Sequence, residues 1–86
     1  LVIEILSDST RSKDMIDKLN TYTLSGVKEY WVIDPRQEQV IIYAFDKCEI
    51  DRVKSFEKGS IAQSLVFDGL SVDVSDLFDG LIMKNI

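Results

Sequence analysis

A single carboxylate interrupts an aliphatic run at the start of the chain, LVIEIL. This residue, Glu4, loses hydration in such surroundings, and the loss is costly unless a cation or hydrogen-bond donors offset it. Alternate residues of a strand share a face, so Glu4 shares one with Val2 and Leu6. The other residues of the run point the opposite way and are predicted to be core: Leu1, Ile3 and Ile5.

A polar stripe that could reach Glu4 follows in the next segment. Residues 11 to about 25 are predicted to form a helix, with Gly26 suited to end it. Arg11, Asp14 and Lys18 lie at i, i+3 and i+7, which places them on one side of that helix. An apolar stripe runs beside them and would face the sheet: Met15, Leu19 and Tyr22. A lysine of the polar stripe can therefore approach Glu4 across a strand–helix interface.

Two interpretations of Glu4 stay open from spacing alone. In the first, Glu4 is structural: it forms an ion pair with a lysine such as Lys18, or it lies in water near the end of its strand. In the second, Glu4 is a ligand of Mg²⁺ or Mn²⁺, and Lys18 stabilises charge on a phosphorus centre. Arg11 has two comparable interpretations, since it could hold a substrate phosphate bidentately or lie in solvent. Asp14 could support Arg11 or Lys18, or it could be an ordinary acid of the first helical turn.

Size and composition limit the classes of function. The chain has 86 residues, which predicts one domain over 1–86. Its net charge of -5 argues against a stand-alone basic domain that binds nucleic acid, although it leaves room for an acidic, metal-dependent site. With no histidine and one cysteine, Cys48, a structural zinc site and a histidine-based triad are excluded. The single cysteine indicates a reducing, cytoplasmic location, and the opening aliphatic run is too short to span a membrane.

The remaining pattern predicts a mixed α/β (α+β) sheet with one main helix. The segments EYWVIDP, QVIIYAF and RVKSFEKG are predicted to be strands, with a turn at Asp34-Pro35 after the first of them. A parallel crossover is expected to join the first strand, the helix and the second strand. A short closing helix is predicted with Ser75 as its N-cap. Trp31 could stack on a base, but packing within its strand is the favoured interpretation.

The first 35 residues closely resemble the core of the Uma2 family, restriction-endonuclease-like proteins that are abundant in cyanobacteria. The resemblance rests on fixed spacing of the following residues: Glu4, Ser7, Ser9, Thr10, Arg11, Asp14, Lys18, Tyr22, Gly26, Val27, Glu29, Tyr30, Trp31, Asp34 and Pro35. The later segment LVFDGLSVDVSDLF resembles the closing part of the family more weakly. One departure is Asp8, which stands where the family usually has proline.

The resemblance implies a PD-(D/E)XK nuclease-like fold that acts on DNA with Mg²⁺ or Mn²⁺. Glu4 would then be a metal ligand and Lys18 a displaced catalytic lysine, with Arg11 on the substrate and Ser7 and Asp14 in support. The family's other metal-binding acid is expected upstream, outside this chain, so the site is expected to be incomplete. The alternative function is a non-catalytic module of the same fold that self-associates as a homodimer through exposed sheet surface.

Overall fold

The computed structural model of the chain describes the backbone of residues 1–6 and 13–83, and the side chains of residues 1–6 and 15–79. In chain order, the elements are β1 (Val2–Ile5), α1 (Lys13–Leu24), β2 (Glu29–Asp34), β3 (Gln39–Asp46), β4 (Glu49–Glu57), β5 (Ile61–Gln63), β6 (Ser71–Asp73) and α2 (Val74–Met83). The predicted mixed α+β architecture is thereby confirmed.

Four strands form the main sheet in the order β1-β2-β3-β4, and β5 and β6 form a separate antiparallel pair. β1 runs parallel to β2, which the predicted crossover through α1 requires. β2, β3 and β4 follow one another antiparallel. At the end of β2, Asp34 accepts hydrogen bonds from the backbone N–H groups of Arg36 and Gln37, so the predicted turn is present. Gly26 has a φ of 83°, as expected of a glycine just beyond a helix end.

Each face of the main sheet carries its own core. The α1-side cluster consists of Leu6, Tyr30, Val32 and Phe45, against which Met15, Leu19 and Tyr22 pack. The α2-side cluster consists of Trp31, Ile33, Val40, Ile42, Ala62, Val74 and Phe78. Alternation along β2 explains the division, because Tyr30 and Val32 point to one face while Trp31 and Ile33 point to the other. Burial of Trp31 in this second cluster confirms its packing role.

The prediction that Leu1, Ile3 and Ile5 are core residues is wrong. Their exposed fractions are 50%, 52% and 54%. β1 is an edge strand, and no β1 residue belongs to the α2-side cluster, which is built from β2, β3, β5 and α2 among the described residues. The alternation of side chains was predicted correctly, but the inward face is the one that carries Val2 and Glu4.

The predicted N-cap of α2, Ser75, is also wrong, because the cap lies two residues earlier. α2 begins at Val74, so the residue before it, Asp73, takes the N-cap role. Its Oδ1 accepts hydrogen bonds from the backbone N–H of Ser75 at 2.9 Å and of Asp76 at 3.4 Å. The Ser75 hydroxyl instead accepts the backbone N–H of Gly59 at 2.9 Å, which ties the start of α2 to the turn after β4.

Candidate functional site

Glu4 lies where α1 crosses the inward face of β1. Parallel pairing opposite Val32 fixes its backbone within the sheet. From α1, the Lys18 ammonium reaches Glu4 Oε2 at 3.2 Å and the Tyr22 hydroxyl donates to Glu4 Oε1 at 3.0 Å. Lys18 and Tyr22 are four residues apart and therefore lie on the same side of the helix. Each carboxylate oxygen thus has one donor of its own.

The Glu4–Lys18 pair remains open to solvent. The side chain of Glu4 is 28% exposed and that of Lys18 is 43% exposed. An ion pair with this much water contact contributes at most about 1 kcal/mol to stability, since solvent screens it and two long side chains must be ordered. The same exposure means that an ion or a phosphate can reach these groups without unfolding the crossover.

Three tyrosines form a continuous aromatic group beneath Glu4. The ring centroid of Tyr30 lies 4.8 Å from that of Tyr22, and the two ring planes are tilted by 54°. It lies 6.0 Å from the ring centroid of Tyr43, and these two rings are nearly parallel. Tyr30 is fully buried, and among the described residues its hydroxyl has no hydrogen-bond partner. Rings at these distances pack favourably, so the group holds the Tyr22 side chain firmly against the sheet.

The tyrosine pKa values respond to this setting. The pKa of Tyr22 is raised, chiefly because its hydroxyl donates a hydrogen bond to the Glu4 carboxylate. The pKa of Tyr30 is raised to about 12, mainly by burial and then by the negative charge of Glu4. Burial likewise raises the pKa of Tyr43. All three hydroxyls keep their protons at physiological pH, and Tyr22 donates to Glu4 as a neutral group.

The five predicted site residues are only partly within the described structure. Glu4 and Lys18 meet directly, as their spacing predicted. Arg11 and Ser7 lie outside the described residues, as does the side chain of Asp14, although its backbone belongs to α1. Their predicted roles stay predictions.

Tyr22 is the residue that sequence reasoning missed. Its spacing with Met15 and Leu19 indicated packing, and it does pack against the α1-side cluster. Its hydroxyl nevertheless reaches Glu4. The available signal was its position one helical turn after Lys18, on the side of α1 that meets the strand.

The fully buried carboxylate of Glu29 serves the fold. It is fully buried, and it accepts hydrogen bonds from Trp31 Nε1 and Ser64 Oγ, each at 2.7 Å. It also accepts the backbone N–H of Leu65 at 2.7 Å and of Val66 at 3.2 Å. These donors fasten the segment after β5 to the main sheet. With its oxygens taken up inside the protein, Glu29 is not available to a ligand.

The carboxylate of Glu4 suits a hard divalent cation. Carboxylate oxygens are the ligands that Mg²⁺ and Mn²⁺ prefer, and Mg²⁺ is commonly held by one or two carboxylates together with water and phosphate oxygens. Within the described part of the chain, no three acidic, histidine or cysteine side chains gather into a metal-binding group. Glu4 therefore fits as one ligand of such an ion and would share it with other ligands.

None of the helices among the described residues is both long enough and apolar enough to cross a membrane.

A search of curated proteins found no match to the chain.

A solved structure, described as a "putative nuclease belonging to DUF820" from Anabaena variabilis, shares the fold with a TM-score of 0.65 and 28% sequence identity. The similarity covers 92% of this chain and 43% of the Anabaena chain, so this chain spans less than half the length of that relative. Residues 1–75 match the family Uma2, described as "Putative restriction endonuclease". The chain therefore belongs to the Uma2 family, and its mixed α+β fold matches part of the fold of the Anabaena protein.

Proposed function

We propose that the β1–α1 crossover is part of a metal-dependent phosphodiesterase site that acts on DNA. The observation that carries the proposal is the meeting of Glu4 and Lys18, a carboxylate and an ammonium 3.2 Å apart at a position open to solvent. Membership of the Uma2 family and a nuclease-like fold give that pair a chemical context.

In this proposal Glu4 is the ligand for Mg²⁺ or Mn²⁺. Such an ion, when bound, polarises a phosphoryl oxygen and makes water a better nucleophile. Lys18 presents its ammonium beside the same point, where it would bind a phosphate oxygen and stabilise the negative charge that develops during hydrolysis. Arg11 is assigned to a substrate phosphate, Asp14 to support of Arg11 or Lys18, and Ser7 to a supporting role at the site.

Charge and length both favour a shared site. A chain with net charge -5 repels a polyanion unless cations intervene, which is consistent with metal-assisted substrate binding. The nuclease-like relative is more than twice as long as the matched region. We propose that further ligands, including the second acid implied by the family resemblance, come from sequence outside this chain, so that Glu4 in this chain alone binds the ion weakly and needs a high Mn²⁺ concentration.

The test is a search for Mn²⁺ at Glu4. Crystals of the chain are soaked in Mn²⁺, and anomalous scattering is measured for the native chain, for Glu4→Ala and for Glu49→Ala. Glu49 is an exposed acid on β4, the strand at the opposite edge of the main sheet from β1, and provides the matched control. We expect a peak at Glu4 that is lost only in Glu4→Ala. A peak that survives in Glu4→Ala, or no peak in the native chain, would contradict the proposed role of Glu4.

A second candidate function is a self-associating module without catalytic activity. It is favoured by the β1 outer strip, defined as Leu1, Ile3 and Ile5, which leaves about half of each apolar side chain exposed on an edge strand. Apolar surface of this kind is typical of an interface. Sedimentation of the native chain and of Ile3→Lys would test it. The module predicts a homodimer that Ile3→Lys converts to a monomer, whereas a monomeric native chain would contradict it.

A further inference from the structure

We infer that the two oxygens of Glu4 have different tasks: Tyr22 is a positioning residue that holds Oε1, and Lys18 is a displaceable occupant of Oε2. This inference rests on the proposed function, because it assigns Oε2 as the atom that receives the cation. It adds a residue, Tyr22, whose hydroxyl orients the ligand without touching the substrate.

The Tyr22 contact has the properties of an anchor. Its hydroxyl is a neutral donor, so it can keep its hydrogen bond to Oε1 while a cation binds the other oxygen. Its ring is fixed by Tyr30 at 4.8 Å and by the α1-side cluster. A carboxylate held at one oxygen by a rigid donor presents the other in a defined direction, which is how outer hydrogen bonds orient metal ligands.

The Lys18 contact has the properties of an exchangeable one. The side chain is 43% exposed, so its ammonium can leave Oε2 and be hydrated at little cost. A divalent cation at Oε2 would repel the lysine charge, which drives that exchange. The released ammonium stays tethered one helical turn from Tyr22 and is free to meet a substrate phosphate. Lys18 would thus neutralise Glu4 in the absence of a cation, and its ammonium would be available to a substrate phosphate when a cation occupied Oε2.

The two assignments predict opposite effects on cation binding. Removing an outer hydrogen bond from a metal ligand typically weakens metal binding by about 10- to 100-fold. We therefore expect Tyr22→Phe to weaken Mn²⁺ binding by about tenfold. Removal of the competing charge in Lys18→Met should strengthen binding by roughly fivefold at low ionic strength, and less in high salt.

The experiment is a Mn²⁺ titration of the chain, followed by the electron paramagnetic resonance signal of the free ion. The variants are Tyr22→Phe, Lys18→Met, Glu4→Ala and Tyr43→Phe. Tyr43 belongs to the same aromatic group through Tyr30, and among the described residues the side-chain hydrogen bonds to Glu4 come from Lys18 and Tyr22, so Tyr43→Phe controls for loss of a hydroxyl. Far-ultraviolet circular dichroism at the assay temperature establishes that each variant is folded.

The set of outcomes distinguishes failure of this inference from failure of the proposed function. Binding that is weakened by Glu4→Ala, weakened by Tyr22→Phe and strengthened by Lys18→Met supports both. If Glu4→Ala weakens binding while Tyr22→Phe and Tyr43→Phe match the native chain, the anchoring role of Tyr22 is overturned and the proposed function stands. If Lys18→Met also weakens binding, Lys18 is not a competitor for Oε2. Binding that is absent, or equal in Glu4→Ala, overturns the proposed function and this inference together.

Discussion

Glu4 and Tyr22 are joined by a 3.0 Å hydrogen bond between residues eighteen apart in sequence, one on β1 and one on α1. The bond joins β1 to α1, and Glu4 is the one acidic residue of β1. It also couples the ionisation of one residue to the charge of the other, and this coupling can be measured without any ligand.

Replacement of Glu4 by glutamine should lower the pKa of Tyr22. The hydrogen bond to the carboxylate is the main reason why that pKa is raised, and the charge of Glu4 adds to it. Without the negative charge at position 4, the ionised form of Tyr22 is less disfavoured relative to the neutral form. Carbon-13 NMR of labelled tyrosine, titrated to alkaline pH, resolves the three side chains. Glu49→Gln is the control, and an unchanged Tyr22 titration in Glu4→Gln would contradict the observed contact.

Tyr30→Phe should leave the folded chain as stable as before or more stable, by about 1 kcal/mol. The Tyr30 hydroxyl is buried and has no hydrogen-bond partner among the described residues, and a buried unpaired polar group costs about 1–3 kcal/mol. Phenylalanine keeps the ring and its contacts with Tyr22 and Tyr43. The free energy of unfolding in urea measures the effect. A loss of more than 1 kcal/mol would mean that the hydroxyl makes a favourable interaction after all.

Stability should fall at alkaline pH through Tyr30. Its pKa is about 12 in the folded chain against a reference value of 10.0, so between these values the unfolded chain releases the proton and the folded chain keeps it. This contribution is fully present below pH 10 and is lost as the pH rises to about 12, where the loss reaches about 3 kcal/mol. Urea unfolding at a series of pH values should show a shallower decline for Tyr30→Phe. Equal declines for both chains would exclude Tyr30 as the source.

The crossover and its ion pair were accessible to sequence reasoning because they depend on local periodicity. Alternation put Glu4 opposite Ile3 and Ile5, and helical spacing put Lys18 on a polar stripe beside an apolar one. Those two periods suffice to predict that Lys18 approaches Glu4. They do not reveal which face of an edge strand is covered, so the burial of Ile3 and Ile5 was predicted incorrectly.

Other features depend on contacts that no local pattern encodes. Tyr22 has the spacing of a packing residue, and its hydroxyl becomes informative only when the distance between α1 and β1 is known. Asp73 and Ser75 are both good N-cap residues, and the choice between them follows from where β6 ends. Glu29 accepts hydrogen bonds from Ser64 and its neighbours, which lie at least 35 residues further along the chain.

Removal of the Glu29 carboxylate should destabilise the chain by about 2–4 kcal/mol. Glu29→Ala would leave Trp31 Nε1 and the backbone N–H groups of Leu65 and Val66 without their acceptor in a buried setting. Glu29→Gln should cost less, because one acceptor oxygen remains. It should still cost some stability, because the new amide N–H₂ group faces hydrogen-bond donors. Urea unfolding followed by Trp31 fluorescence measures both, with Glu49→Ala as the exposed control. If Glu29→Ala unfolded at the native urea concentration, these hydrogen bonds would not hold the segment after β5 to the sheet.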